Sequence, residues 1–155
     1  MSESVWDYPR PPRVEPTARR IRVRLGGETI ADTRRAHRVL ETSHPPTYYV
    51  GLDDVAPGVL EPSRGPTTVC EWKGTASYYD VVAGGQRAER AAWTYHDPLP
   101  EFEAIRDAIA FYPDLMDSCW VDDERVEPQP GGFYGGWITS DVLGLAEGAR
   151  STSSA

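Results

Sequence analysis

Lysine is almost missing from this chain: among 155 residues a single lysine, Lys73, stands against fifteen arginines. The two cations are not interchangeable. An ammonium on a flexible stem shifts its proton affinity when buried and can serve as acid, base or nucleophile, whereas a guanidinium stays charged. A GC-rich coding sequence alone would leave few lysines, so the count does not establish need. What singles Lys73 out is its setting, the densest chemical run of the chain: Thr67-Thr68-Val69-Cys70-Glu71-Trp72-Lys73-Gly74-Thr75-Ala76-Ser77-Tyr78-Tyr79-Asp80-Val81.

Other scarcities exclude whole classes. Cysteine occurs twice, at Cys70 and Cys119, too far apart for any zinc-ribbon spacing. Without a secretion signal no structural disulfide is expected. The three histidines, His37, His44 and His96, fall in separate segments with no metal-binding spacing, so neither a metal nor a cofactor is expected. No apolar run approaches the ~20 residues that a membrane helix needs. The opening Met1-Ser2-Glu3-Ser4-Val5-Trp6-Asp7-Tyr8 lacks the basic start and apolar stretch of a signal peptide. The expectation is a cytoplasmic protein without a membrane partner. Basic charge is also short: the net charge is −8, and phosphate neutralisation needs a basic surface, so nucleic acid is not an expected partner.

Glycine and proline, by contrast, are plentiful at 14 each, which favours short strands and many turns. The length suits one domain with a real core. Residues 1–17 form a Pro-rich, extended arm, residues 18–127 the core domain, and residues 128–155 a Gly- and aromatic-rich arm. Ile21-Arg22-Val23-Arg24-Leu25 alternates as a half-buried strand does, and Gly26-Gly27 turns it into a return strand over 28–32. Further strands are expected over 36–41, 48–50, 67–72, 76–83, 91–95, 109–112 and 119–121. Turns fall at Gly84-Gly85 and over 122–125, and a single helical turn lies within 101–108. This spacing predicts an antiparallel sandwich or barrel. Both arms carry aromatics (Trp6, Tyr8, Phe133, Tyr134, Trp137), unlike disordered tails, so both are expected to lie on the core or on a second protomer, leaving 151–155 free. A homodimer formed by exchanging arms is compatible with this pattern.

Three stretches carry a resemblance: Thr68-Val69-Cys70-Glu71-Trp72-Lys73-Gly74-Thr75-Ala76-Ser77-Tyr78, then Ala92-Trp93-Thr94-Tyr95-His96-Asp97-Pro98, then Ile109-Ala110-Phe111-Tyr112. With Ile30-Ala31-Asp32-Thr33-Arg34-Arg35-Ala36, Leu40-Glu41-Thr42 and Pro46-Thr47-Tyr48-Tyr49, the chain over about 18–127 resembles the bacterial family known as domain of unknown function four hundred and twenty-seven. The resemblance implies a mainly-β fold of β-tent type, small antiparallel sheets pinned at one edge, with the arms packed on it. Such folds are shared with zinc modules, methionine sulfoxide reductases of the B type and the drug-binding domain of cereblon. Their paired Cys-x-x-Cys motifs have no counterpart here, so packing is expected in place of structural zinc. The family is also labelled a nucleotidyltransferase. This sequence lacks the Gly-Ser and spaced carboxylates that would hold two metals for phosphoryl transfer. Asp53-Asp54 and Asp122-Asp123 are adjacent pairs that read as solvated turns.

Lys73 is the leading candidate catalytic group, with Cys70 and Glu41 behind it. A thiolate needs a neighbouring cation or base, yet strand alternation puts Cys70 and Lys73 on opposite faces unless the chain bends at Gly74. The ordinary role of such a cysteine is a small buried hydrophobe. Lys73 could also form an ion pair with Glu41 or Asp32. Trp72, Tyr78, Trp93 and Tyr49 are candidate walls of an aromatic pocket for a planar or cationic ligand, and Arg34 a contact for an anionic one. His96 could act as a base or cap the turn at Pro98. Two functions follow: a pocket protein for a small molecule or modified side chain, which a hydrolase or transferase using Lys73 would extend, or a protein-interaction module using its aromatic arms.

Overall fold

Ile21, Val23 and Leu25 are buried while Arg22 and Arg24 between them are half-exposed, as strict alternation requires of a strand with one face on a core. The structure, a computed structural model, describes residues 2–70, 72–130 and 135–144. Ile21–Leu25 pairs with Glu28–Thr33 on one side and Ser118–Val121 on the other, and Glu124–Arg125 completes a four-stranded antiparallel sheet. A five-stranded sheet is built on the long hairpin Gly74–Ala83/Gln86–Thr94. Ala110–Phe111 lies on its outer side, and both Leu60–Pro62 and Thr68–Cys70 lie along its other edge. A third sheet joins Arg13–Pro16, His37–Leu40 and Thr47–Tyr49. The described residues contain no α-helix, only 3-10 turns such as Pro100–Ile105. The fold is therefore mainly β, as the spacing of strands and turns predicts. No helix of the described residues is long and apolar enough to cross a membrane.

The long hairpin divides two cores. One of its faces, with Val81, Ala83 and Ala92, packs with Ile21, Val23 and Phe111. The other, with Ala76 and Trp93, packs with Tyr49, Tyr95, Phe102 and Ile105. The end of its second strand is thus covered on both faces, which is why Ala91 to Tyr95 are all buried, the Thr94 hydroxyl donating to the Ala108 carbonyl. Two Gly-Gly turns meet backbone to backbone. A Cβ on Gly26 would lie 2.1 Å from the Ala83 carbonyl oxygen, and one on Gly84 would lie 1.9 Å from that of Gly26. Both residues also have positive φ. Only glycine meets both demands.

Both arms dock. Val5 and Tyr8 are buried with Leu40, and Trp137 is buried in the first core, its indole donating to the Phe111 carbonyl at 3.3 Å. Glu3–Ser4 pairs in parallel with Val142–Leu143, so the two arms close on each other. Arg38 grips Glu3 and Glu15, and Arg19 grips Asp122 and Asp141.

Several expectations need correction. Within the extended amino-terminal arm, Arg13–Pro16 is an edge strand, because its register with His37–Leu40 satisfies the backbone. Trp6 does not dock: it is 61% exposed, with only its indole N–H held by the Gly144 carbonyl. Asp54 and Asp122 are not merely solvated. Asp54 accepts from Thr33 and Arg35, and Asp122 from Arg19 and the Arg20 amide. Phe133, Tyr134 and 151–155 lie outside the described residues.

Candidate functional site

The strand expected over 67–72 ends at Cys70. The pair Cys70–Gly74 closes its ladder with the long hairpin, and Trp72 and Lys73 lie in the turn before Gly74. Gly74 takes φ +111, and the Leu99 amide donates to the Lys73 carbonyl at 3.2 Å, fixing the turn against the 97–99 loop. The bend removes the alternation that would have separated Cys70 from Lys73. Both side chains now line one cavity of about 440 Å³.

Three segments enclose that cavity. The turn supplies Cys70, Trp72 and Lys73, the loop after His37–Leu40 supplies Glu41 and His44, and the carboxy-terminal arm supplies Gln129 and Gly135. The loop wall is held by both arms. The Thr42 hydroxyl donates to the Tyr8 carbonyl, the Ser43 amide donates to that of Val5 at 2.9 Å, and Arg10 reaches both Glu41 at 3.5 Å and the Thr42 carbonyl at 3.3 Å. On the other side the Trp137 amide donates to the Pro46 carbonyl at 2.8 Å. The arms are therefore structural parts of the site.

Lys73 is half-buried and forms no ion pair with any carboxylate among the described residues. The two partners expected for it are taken. Glu41 faces Arg10, and Asp32 is gripped by Arg20 at 2.7 and 2.9 Å, whose hydrogen bonds hold the Asp32 carboxyl below its ordinary range. Cys70 and Trp72 pack against the second core. The His44 ring nitrogen Nδ1 lies 2.9 Å from the Thr42 carbonyl. In the neutral tautomer that donates there, Nε2 carries the lone pair.

The remaining candidates sit elsewhere. Tyr49 is fully buried, its hydroxyl accepting from the Trp93 indole at 3.2 Å, and burial raises the affinity of that phenol for its proton. Trp93 lies beneath the cavity wall rather than on its surface, since a Cβ on Gly135 would come within 2.2 Å of its ring. Tyr78 is engaged by Thr68 at 2.8 Å and by the Arg90 guanidinium 4.1 Å above its ring. Arg34 is exposed in the turn after Glu28–Thr33, within electrostatic reach of Asp32 and Asp122. His96 pairs with Asp107 at 2.8 Å on the surface. Of the eight candidates the structure thus gathers Lys73, Cys70, Glu41 and Trp72 in one cavity, and leaves Tyr78, Trp93, Tyr49 and Arg34 outside its lining. Sequence reasoning passed over His44, Gln129 and Gly135, for which only the rigid His44-Pro45-Pro46 run gave any local signal.

A larger cleft of about 740 Å³ runs along Glu61, Asp80, Arg87 and Arg90. Its charges are partly satisfied from within: Arg87 binds Glu61 at 2.7 Å and Asp80 at 2.9 Å, and Arg90 binds the Arg64 and Pro66 carbonyls, while Arg64 and Glu89 also line it. Size therefore favours this cleft, whereas the smaller cavity brings together the chain's one lysine, a cysteine, a histidine and a half-buried indole, with no ion pair to Lys73 among the described residues. Among the described residues no three His, Cys, Asp or Glu side chains converge as a metal site would require.

The family model described as Domain of unknown function (DUF427) matches residues 13–122, from the edge strand on His37–Leu40 to the turn at Asp122. The chain belongs to that family. A comparison with curated proteins finds no match.

Proposed function

We propose, from this family membership as premise, that the protein binds a small anionic molecule in the cavity at the 70–74 turn. One observation carries the reading: the chain's only lysine opens into a cavity without a carboxylate partner among the described residues, while Glu41 beside it is turned towards Arg10. An ammonium without an ion-pair partner among the described residues, next to a half-buried indole, suits a ligand with a carboxylate or similar anion on a flat body. Charge pairing fixes its orientation, and apolar contact with Trp72 supplies the rest. If the bound molecule is also transformed, Lys73 is the acid–base group and the activity is that of a hydrolase or transferase. The nucleotidyltransferase label has less support, since neither Asp53-Asp54 nor Asp122-Asp123 lines this cavity. The interaction-module alternative loses Trp137, which is buried rather than exposed beside Trp6.

Thermal unfolding of the wild type and Lys73→Met against carboxylates, nucleotides, amino-acid derivatives, cyclic imides and short peptides tests the proposal. A ligand at a hundred times its Kd adds about 2.7 kcal/mol of stability, a midpoint rise of roughly 5–10 °C for a domain of this size. The expected result is a rise with an anionic ligand that vanishes in Lys73→Met. A wild type that no anion shifts, with a variant simply less stable, makes Lys73 structural and removes the proposal.

A further inference from the structure

We infer that the outer face of the four-stranded sheet is a docking surface for a short acidic peptide segment, bound by Arg22, Arg24 and Arg125 around Trp120. The surface is separate from the Lys73 cavity and stands or falls without it. Ile21, Val23, Cys119 and Val121 point from this sheet into the first core, so their strand neighbours Arg22, Arg24, Ser118 and Trp120 point outward. Register gathers them. Trp120 stands opposite Arg22 on one side and Arg125 on the other, and Arg24 stands opposite Ser118 and Thr29. The Arg22 guanidinium carbon lies 5.5 Å from the centre of the Trp120 ring, and the indole N–H is fixed on the Ser118 hydroxyl at 2.9 Å.

These three arginines are held differently from those that anchor the arms. Arg22 donates to the Asp122 carbonyl at 3.0 Å, Arg24 to the Thr29 hydroxyl and the Gly27 carbonyl at 2.7 Å each, and Arg125 to the Asp117 carbonyl at 2.9 Å. Such acceptors fix a guanidinium without neutralising it. Among the described residues the one carboxylate in ion-pair range of the three is Asp123, 4.0 Å from Arg22 and itself fully exposed. Arg22 Nε is also buried without a hydrogen-bond partner. The face carries one carboxylate of its own, Asp32 opposite Arg22, and Arg20 binds it at 2.7 and 2.9 Å. At the rim, the Asp117 carboxylate accepts from the Gly27 amide. A locally cationic strip thus lies on a chain whose net charge is −8.

The chemistry of the strip names its partner. Neighbouring strands lie about 4.8 Å apart, so Arg125 and Arg22 flank Trp120 at a separation of about 10 Å, the distance between residues three apart in an extended chain. A peptide crossing the strands can set one carboxylate on each of these guanidinium groups, with an aromatic ring over the indole between them and Arg24 beside the path. The outer surface of a sheet is not the concavity that a small molecule needs. The negative net charge works against a long polyanion such as nucleic acid, and least against a segment with two or three carboxylates.

The test titrates the isotope-labelled full chain with the peptide acetyl-Gly-Glu-Tyr-Gly-Glu-Gly-amide, its counterpart with Gln for Glu, and oligothymidylate. The readout is the indole N–H resonance of Trp120, identified through Trp120→Phe, with that of Trp72 followed alongside. The Glu peptide is expected to shift Trp120 saturably at millimolar concentration, more weakly as salt is added, and the Gln peptide to leave it in place. Arg24→Gln and Arg125→Gln should each weaken binding by about threefold to fivefold, the size of one exposed charge pair, with unfolding midpoints recorded to show that both variants fold. A Trp120 resonance that the Glu peptide does not move, or that the Gln peptide moves equally, overturns the docking surface. A folded Arg125→Gln that binds as the wild type does, or a shift at Trp72 in place of Trp120, overturns it too. Tighter binding of oligothymidylate than of the Glu peptide overturns the peptide as partner and makes the strip a nucleic-acid contact.

Discussion

Removing the Arg38 guanidinium should loosen the amino-terminal arm from the core. Its side chain is 17% exposed and lies between Glu3 of the arm and Glu15 of the edge strand, with contacts of 2.5 and 3.2 Å to the first and 2.6 and 2.7 Å to the second. Glu3 also accepts from the Tyr8 hydroxyl at 2.7 Å. Arg38→Met keeps most of the apolar stem and leaves two carboxylates without their cation. Exposed pairs contribute up to about 1 kcal/mol, and breaking a fully buried pair costs about 3–5 kcal/mol. Both carboxylates here are about one-third exposed, so a loss near 2 kcal/mol is expected, a midpoint drop of roughly 4–8 °C. The sign of the pH dependence follows from Glu3. The Arg38 hydrogen bond holds its carboxyl below the ordinary value. A depressed folded-state value means that the clamp stabilises above the unfolded carboxyl's ~4.3 and fades as pH falls through the folded value. Thermal unfolding followed by near-ultraviolet circular dichroism, at neutral pH and near pH 3, reads both effects, with Glu3→Gln as the milder partner in a double-mutant cycle. A variant within about 1 °C of wild type at neutral pH, or a gap that stays constant on acidification, refutes the clamp.

The paired Gly-Gly turns separate steric from conformational cost. Gly84→Ala places a Cβ 1.9 Å from the Gly26 oxygen at φ +55, whereas Gly85→Ala at φ +80 meets nothing within 4 Å. Denaturant unfolding should show a loss of about 3 kcal/mol or more for the first and about 1 kcal/mol for the second, and equal losses would deny the turn-to-turn contact. Gly135→Val drives a side chain into the Trp93 ring beneath the cavity wall. It should alter tryptophan emission and weaken any ligand shift at Lys73 while the carboxylates gripping Arg38 and Arg19 keep the arms in place. Unchanged emission would mean that the wall does not rest on Trp93.

Much of the fold was legible because its signals are local. Alternation at Ile21, Val23 and Leu25 and the Gly-Gly turns each depend on a few neighbouring residues, and each appears in the structure as expected. The strand drawn through Trp72 was not legible, for an instructive reason. β-branched and aromatic residues signal a half-buried surface rather than a backbone angle. Trp72 finds its burial from within the turn by packing on the second core, so its residue type was informative about burial and silent about conformation. The adjacent aspartates failed in the opposite sense. Polarity alone cannot show that Thr33, Arg35, Arg19 and Arg20 will donate to one member of each pair.

The candidate site divides in the same way. The segment 70–74 was conspicuous in sequence because its chemistry is contiguous, but the cavity's other walls come from Glu41 and His44 and from Gln129 and Gly135, and no periodicity links segments so far apart. The arrangement also bears on why one lysine persists among arginines. Arg19, Arg20, Arg35, Arg38, Arg87 and Arg106 all spend their forked guanidinium groups on carboxylates. That geometry suits structural pairing, since a planar fork matches two oxygens at once. Position 73 shares its cavity with Glu41, whose present partner Arg10 is held loosely at 3.5 Å. A compact ammonium has no such bidentate advantage in competing for that carboxylate, which leaves its charge directed at the cavity rather than at the wall.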